Sequence, residues 1–212
     1  MAKRVRKIKR FLIHANGDLC CGMNIETTGS NPNVHEIVYL TCVPLDAYFN
    51  KLQGSRTLDL YIRPERPDLW SDQKVRRIGR DNIQKILDQG MPKERAYEMF
   101  TNWFSELDIK PGKRIIPVAF DWLRQYPFFT KFVGENIYTT HKIRDVMVTA
   151  CHQNDRADFD ARQIPFPQAQ RFNAVLERLG MEIDPTMIKH SLYKTRMLVE
   201  AYKKLIYFER FL

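Results

Sequence analysis

Cationic side chains are the groups in this 212-residue sequence best suited to chemistry, and they come in clusters. Arg4, Arg6, Lys7, Lys9 and Arg10 crowd the N-terminus. Arg76, Arg77 and Arg80 lie close together further on, followed by Arg114, Arg124, Lys203 and Lys204. Guanidinium and ammonium groups bind phosphate oxygens through charge-assisted hydrogen bonds. Aromatic residues are interleaved with them, namely Trp70, Trp122, Tyr126, Phe128 and Phe129. A basic track with aromatic faces suits a single-stranded nucleic acid, with cations on the backbone and rings against the bases. The net charge of +9 points the same way, because an excess of that size attracts polyanions. Each group also has a plainer reading. The basic run is either a phosphate-binding arm or a frayed, charged extra β-strand over residues 1–18, and Phe128 with Phe129 fits a core face better than a stacking platform.

Other chemistries are disfavoured. Cys20, Cys21, Cys42 and Cys151 contain no C-x-x-C spacing, so they form neither a zinc pattern nor a disulfide framework. They read as small buried residues in a reducing compartment. Asp155, Asp158 and Asp160 lack calcium-loop spacing and a closing glutamate. No apolar stretch reaches the roughly 18 residues of a membrane span. The run after the basic N-terminus is only Phe11-Leu12-Ile13, too short for a signal-peptide core. A cytoplasmic protein with no membrane partner is the expectation.

The elements that must position these groups are legible in outline. Phe11 to His14 reads as a short β-strand stopped by the turn pair Asn16-Gly17. Residues 19–25, 36–45 and 57–62 read as three β-strands, the last stopped by Pro64 and Pro67. Helices are expected over 81–89 and from Pro92 to Leu107, the second with an apolar face of Ala96, Phe100, Trp103 and Leu107. A buried β-strand follows at 115–120, then helices at 125–133, 143–151, 168–179 and 190–208, with a polar loop over 154–164. β-Strands first, then alternating β-strand and helix, imply an α/β fold with a mixed sheet and helices packed on it.

Three segments, in order, resemble the DEDDh 3′–5′ exonuclease family. Met23-Asn24-Ile25-Glu26-Thr27-Thr28-Gly29 is similar to its D-x-E-T-T-G β-strand. Pro117 to Trp122, running to Phe128-Phe129 and Gly134, resembles its second motif in one of two registers. One puts Asp121 on the catalytic aspartate. The other puts Gln125 there, matches Phe128-Phe129 and Gly134 as well, and is preferred. Leu179-Gly180, then His190 to Thr195 before a long helix, resembles Leu-Gly followed by H-x-A-x-x-D. The resemblance implies a ribonuclease H-like domain over 19–212, with a mixed sheet of five-stranded type flanked by helices on both faces.

In that family, four carboxylates hold two Mg²⁺ or Mn²⁺ ions that activate water at the terminal phosphodiester, and a histidine acts as general base. Here the resemblance places the retained residues at Glu26 and His190. Neutral Asn24, Gln125 and Thr195 stand where carboxylates belong, with Asp121 as the alternative. Glu26 is the one expected metal ligand, and a weak one. No cofactor is expected unless the chain is catalytic, in which case it needs Mg²⁺ or Mn²⁺. The expectation is a pseudonuclease that binds a single strand, RNA slightly ahead of DNA, through Thr27, Thr28, Trp122, Tyr126 and the basic residues above. An active exonuclease with Asn24 as an inactivating change or with a relaxed site, and a protein-interaction module, are the alternatives. The resemblance also makes a homodimer an expected state.

Overall fold

The computed structural model describes residues 9–134 and 137–207. Arg4, Arg6 and Lys7 therefore lie outside the described residues, and most of the basic arm with them. What is described of that segment holds no β-strand. Ile13–Ala15 is a single 3₁₀ turn, and Asn16 and Gly17 take left-handed backbone angles that lead straight into the sheet. The Asn-Gly signal marked a chain reversal correctly, but not a hairpin.

The sheet has five β-strands: β1 (Leu19–Thr27), β2 (Ile37–Pro44), β3 (Leu58–Tyr61), β4 (Ile115–Ala119) and β5 (Arg144–Asp145). Their order is β3-β2-β1-β4-β5. β1–β2 and β2–β3 pair antiparallel, whereas β1–β4 and β4–β5 pair parallel. Seven helices are described: α1 (Asp72–Ile78), α2 (Arg80–Gln89), α3 (Lys93–Ser105), α4 (Trp122–Val133), α5 (Val146–Phe159), α6 (Phe172–Arg178) and α7 (Ser191–Tyr207). This is the expected α/β architecture. No helix among the described residues is long and apolar enough to cross a membrane.

Side-chain alternation along β1 divides the core in two, because successive residues face opposite sides of a sheet. Leu19, Cys21, Met23 and Ile25 pack with Phe100 and Trp103 of α3 and with Trp122, Phe128 and Phe129 of α4. Cys20 on the other face packs with Val118, with Val146 and Ala150 of α5, and with Leu198 and Val199 of α7. The cysteines are free, as expected, and burial pushes the Cys20 thiol up to about 12.

Three departures from the expected elements have physical causes. α1 is not among the expected elements: it is a short and mostly charged helix with only Val75 and Ile78 as apolar residues. Its start is nevertheless a capping signal, since Ser71 Oγ accepts a hydrogen bond from the Lys74 amide. The 143–151 helix begins later, after β5, and runs on to Phe159, so Asp155 and Asp158 are helical instead of loop residues. Its buried face, Val146, Ala150, Gln153 and Ala157, is too small and polar to stand out as an apolar stripe. The 168–179 helix is confined to Phe172–Arg178.

Candidate nucleic-acid interface

The site begins at Gly22 on β1. A Cβ there would lie 2.7 Å from Val199 Cγ2 and 3.2 Å from Thr195 Cγ2. The missing side chain lets α7 rest on the β1 backbone. That close approach sets the first turn of α7 over the next two residues on the same face of β1, Asn24 and Glu26.

Asn24 sits in a polar row that crosses three β-strands. It pairs laterally with Thr41 of β2, which pairs with Asp59 of β3. Ser191 joins from the start of α7. Thr41 Oγ1 lies 2.8 Å from Asp59 Oδ1 and 2.8 Å from Ser191 Oγ, and Asn24 Nδ2 lies 2.7 Å from Ser191 Oγ. A hydroxyl has one proton and a carboxylate has none, so the donors order themselves. Thr41 donates to Asp59, Ser191 donates to Thr41, and the Asn24 amide donates to Ser191. Tyr39 Oη donates to the other oxygen of Asp59 at 3.1 Å. An amide N–H₂ at position 24 completes the row, which a carboxylate cannot do.

Glu26, two residues on, is only 11 % exposed at its side chain and is surrounded by cations. Lys194 Nζ of α7 lies 2.6 Å from Oε1, Lys74 Nζ of α1 lies 3.6 Å from Oε2, and the Arg77 guanidinium of α1 pairs with Oε2. Lys74 and Arg77 share a face of α1 through their three-residue spacing. Burial alone would raise the Glu26 carboxyl; Lys194, then Arg77 and Lys74, outweigh it and hold the group well below the usual carboxylate range. Burial and the neighbouring cations push Lys74 down to about 8 despite the pull of Glu26. Burial likewise lowers Lys194.

A depressed folded-state carboxyl adds stability above its ordinary value of 4.5, and that stability is lost as the pH falls through the folded value. Thermal melts should therefore show the wild-type chain losing stability from about pH 4.5 towards about pH 2 more steeply than Glu26→Gln. Parallel slopes would mean that the ion pairs do not form.

The Thr-Thr-Gly tail shapes the turn after β1. Thr27 Oγ1 donates to the Gly29 carbonyl at 2.6 Å, and Thr28 Oγ1 accepts from the Glu36 amide at 3.1 Å. A Cβ at Gly29 would overlap the His35 imidazole. Thr27 and Thr28 are buried, and these hydrogen bonds give them a turn-forming role.

Gln125 of α4 closes the other side. Parallel pairing of β1 with β4 runs from Leu19–Ile115 to Gly22–Val118. Beyond it, the Ile25 amide donates to Gln125 Oε1 at 3.0 Å, while Gln125 Nε2 donates to the Phe120 carbonyl. The side chain extends the sheet's hydrogen bonding past the end of β4. Asp121, in a left-handed conformation just before α4, pairs with Arg124 at 2.9 Å. Asp145 holds this helix start, accepting from the Asp121 amide at 3.2 Å and the Trp122 amide at 2.6 Å. It also caps α5 through the Met147 and Val148 amides.

These residues border a cleft of about 570 Å³ at the carboxyl ends of β1 and β4. Among the expected site residues, Asn24, Glu26, Thr27, Arg77, Asp121, Arg124 and Gln125 line it. Lys74, Lys194, Lys189, Arg171, Phe120 and Phe172 line it too and were not foreseen in the sequence. The last two stack edge to face, with ring centroids 5.1 Å apart. Position in the sequence gave no signal for them, because only the fold brings α1, α6 and α7 to one place.

Several expected residues lie elsewhere. Trp122 is 1 % exposed in the core between the sheet and α4, so it cannot stack on a base. Thr195 is fully buried beside Gly22 and donates to the Ser191 carbonyl at 2.8 Å. Ser191 and Lys194, not Thr195, meet Asn24 and Glu26. His190 is half-buried ahead of α7, its backbone engaged with Met187 and Lys194, and it is not a lining residue. Arg76 and Arg80 are exposed outside the cleft, as are Lys9 and the partly exposed Tyr126. Arg10 is held by Asp108 at 3.0 Å and by the Leu107 carbonyl.

A two-metal centre does not fit these residues. Hard divalent cations need several charged oxygen ligands. In the cleft Glu26 and Asp121 supply two, and both are already ion-paired, Glu26 with three cations and Asp121 with Arg124. No group of three or more His, Cys, Asp or Glu side chains among the described residues is placed to share a metal ion.

No family model matches the sequence, and no curated protein matches it. Solved structures do. E. coli exonuclease I in complex with a dT13 oligonucleotide superposes with a TM-score of 0.64 at 14% identity, over 88% of this chain and 40% of that one. A 3′-exonuclease that recognises the 3′ end of a histone mRNA stem-loop gives 0.57 at 17% identity, over 88% and 64%. The chain thus spans about two fifths of the length of exonuclease I. The likeness establishes the fold: a mixed five-stranded sheet between helices, of the ribonuclease H-like type found in these exonucleases.

Proposed function

We propose that the chain binds single-stranded nucleic acid in the cleft and does not hydrolyse it efficiently. The charge of the cleft wall carries this reading. Six basic side chains (Lys74, Arg77, Arg124, Arg171, Lys189 and Lys194) line it against two acidic ones, Glu26 and Asp121. A wall of that sign attracts phosphate directly, where a carboxylate-lined pocket would need metal ions to do so. Phe120, partly exposed and backed edge to face by the buried Phe172, offers an aromatic edge in the same space. Exonucleases of this fold have been seen with a DNA oligonucleotide and with a histone mRNA stem-loop, which supports a nucleic-acid partner without choosing the sugar. RNA is proposed slightly ahead of DNA.

Fluorescence anisotropy with matched RNA and DNA single strands tests this. Binding should not require Mg²⁺ and should persist in EDTA. If about four phosphates are contacted, affinity should fall about tenfold to a hundredfold as salt rises from about 50 to about 200 mM. Affinity that needs Mg²⁺ and vanishes in EDTA would contradict the proposal.

A further inference from the structure

The cations around Glu26 exceed what that carboxylate needs. A structural ion pair is complete with one lysine. Here two ammonium groups and a guanidinium converge on one carboxylate, leaving a local surplus of two positive charges. Lysine normally keeps its ammonium in water. Yet the Lys194 and Lys74 side chains are only 19 % and 14 % exposed, held against their mutual repulsion on two helices fixed to the core. Arg77 is half-exposed and completes the rim on the cleft side.

We propose that Lys194, Lys74 and Arg77 form a metal-free seat for a terminal phosphomonoester of a nucleic-acid strand, with Glu26 holding the three cations together when the seat is empty. The surplus of two charges matches a phosphomonoester dianion, whereas an internal phosphodiester carries one charge. Arginine offers the planar donor fork that phosphate oxygens accept, and the two ammonium groups add rotatable donors. This rests on the strand-binding reading above and assigns it a preferred end. It also reverses the role of the family's glutamate: here Glu26 competes with the bound anion for the same cations.

The test is anisotropy in EDTA with one single strand carrying a 3′-phosphate, a 5′-phosphate or hydroxyls at both ends, and thermal melts with inorganic phosphate. One phosphorylated end should bind about tenfold more tightly than the hydroxyl strand. The two phosphorylated strands identify which end is seated. Glu26→Gln should tighten binding of the phosphorylated strand and enlarge the melting shift with phosphate. Arg77→Gln, at a half-exposed position, should remove both the end preference and the shift, and it decides the matter if Glu26→Gln does not fold. Equal affinity for all three strands, weaker binding by folded Glu26→Gln, or a preference that survives Arg77→Gln would each overturn the seat. Strand binding with no end preference leaves the strand-binding reading standing without the seat. A phosphate shift lost in Arg77→Gln, with no strand bound by the wild-type chain, keeps the seat and removes that reading.

Discussion

Asp145→Ala should lower the unfolding free energy by about 3–5 kcal/mol. The Asp145 carboxylate is buried and accepts from four backbone amides: Asp121 and Trp122 at the start of α4, and Met147 and Val148 at the start of α5. Helix starts have amides with no partner inside the helix. One side chain therefore caps two helices, and alanine leaves all four amides without that acceptor, the Trp122 amide in a buried position. The effect reaches the cleft, because α4 carries Arg124 and Gln125. Asp145→Asn retains one acceptor oxygen and should cost less, about 1–2 kcal/mol. Urea unfolding of the three proteins measures this. An alanine variant with an unchanged midpoint would show that water satisfies these amides and that the double cap is not a keystone of the site.

Asn24→Asp should destabilise the protein by about 2 kcal/mol and yield no nuclease. A carboxylate cannot donate to Ser191. It would draw the Ser191 proton to itself and leave the Ser191 and Thr41 oxygens 2.8 Å apart with no proton between them, since Thr41 donates to Asp59. It would also put a second carboxylate beside Glu26 on the same face of β1. If position 24 were simply an inactivated catalytic aspartate, the reversion would restore strand shortening in Mn²⁺ at little cost in stability. Melting curves and a gel assay on the same preparation separate the two outcomes.

Much of the fold was legible because its β-strands are apolar runs between strong breakers. β1, β2, β3 and β4 fall within a residue or two of where the sequence put them. The helices with large apolar faces, α3 and α7, were equally clear. What escaped were elements held by small or charged residues: α1, with two apolar positions, and the second half of α5, which buries Gln153 and Ala157. The site divides the same way. Glu26 and Asn24 were marked by the Thr-Thr-Gly tail. Lys74 and Lys194 were not, because a lysine on a helix reads as a solvated face and no local pattern reveals a buried partner from another element. Trp122 erred in the opposite direction: an aromatic among basic residues suggested stacking, but the fold spends it on the core.

The proposed activity is strand binding without cleavage. The most direct measurement is a time course with a 5′-labelled single strand, excess protein and Mn²⁺, resolved on a sequencing gel beside an EDTA control. The strand should stay full length in both lanes while a parallel shift assay shows it bound. A ladder shortening from the 3′ end in Mn²⁺, and absent in EDTA, would contradict the account.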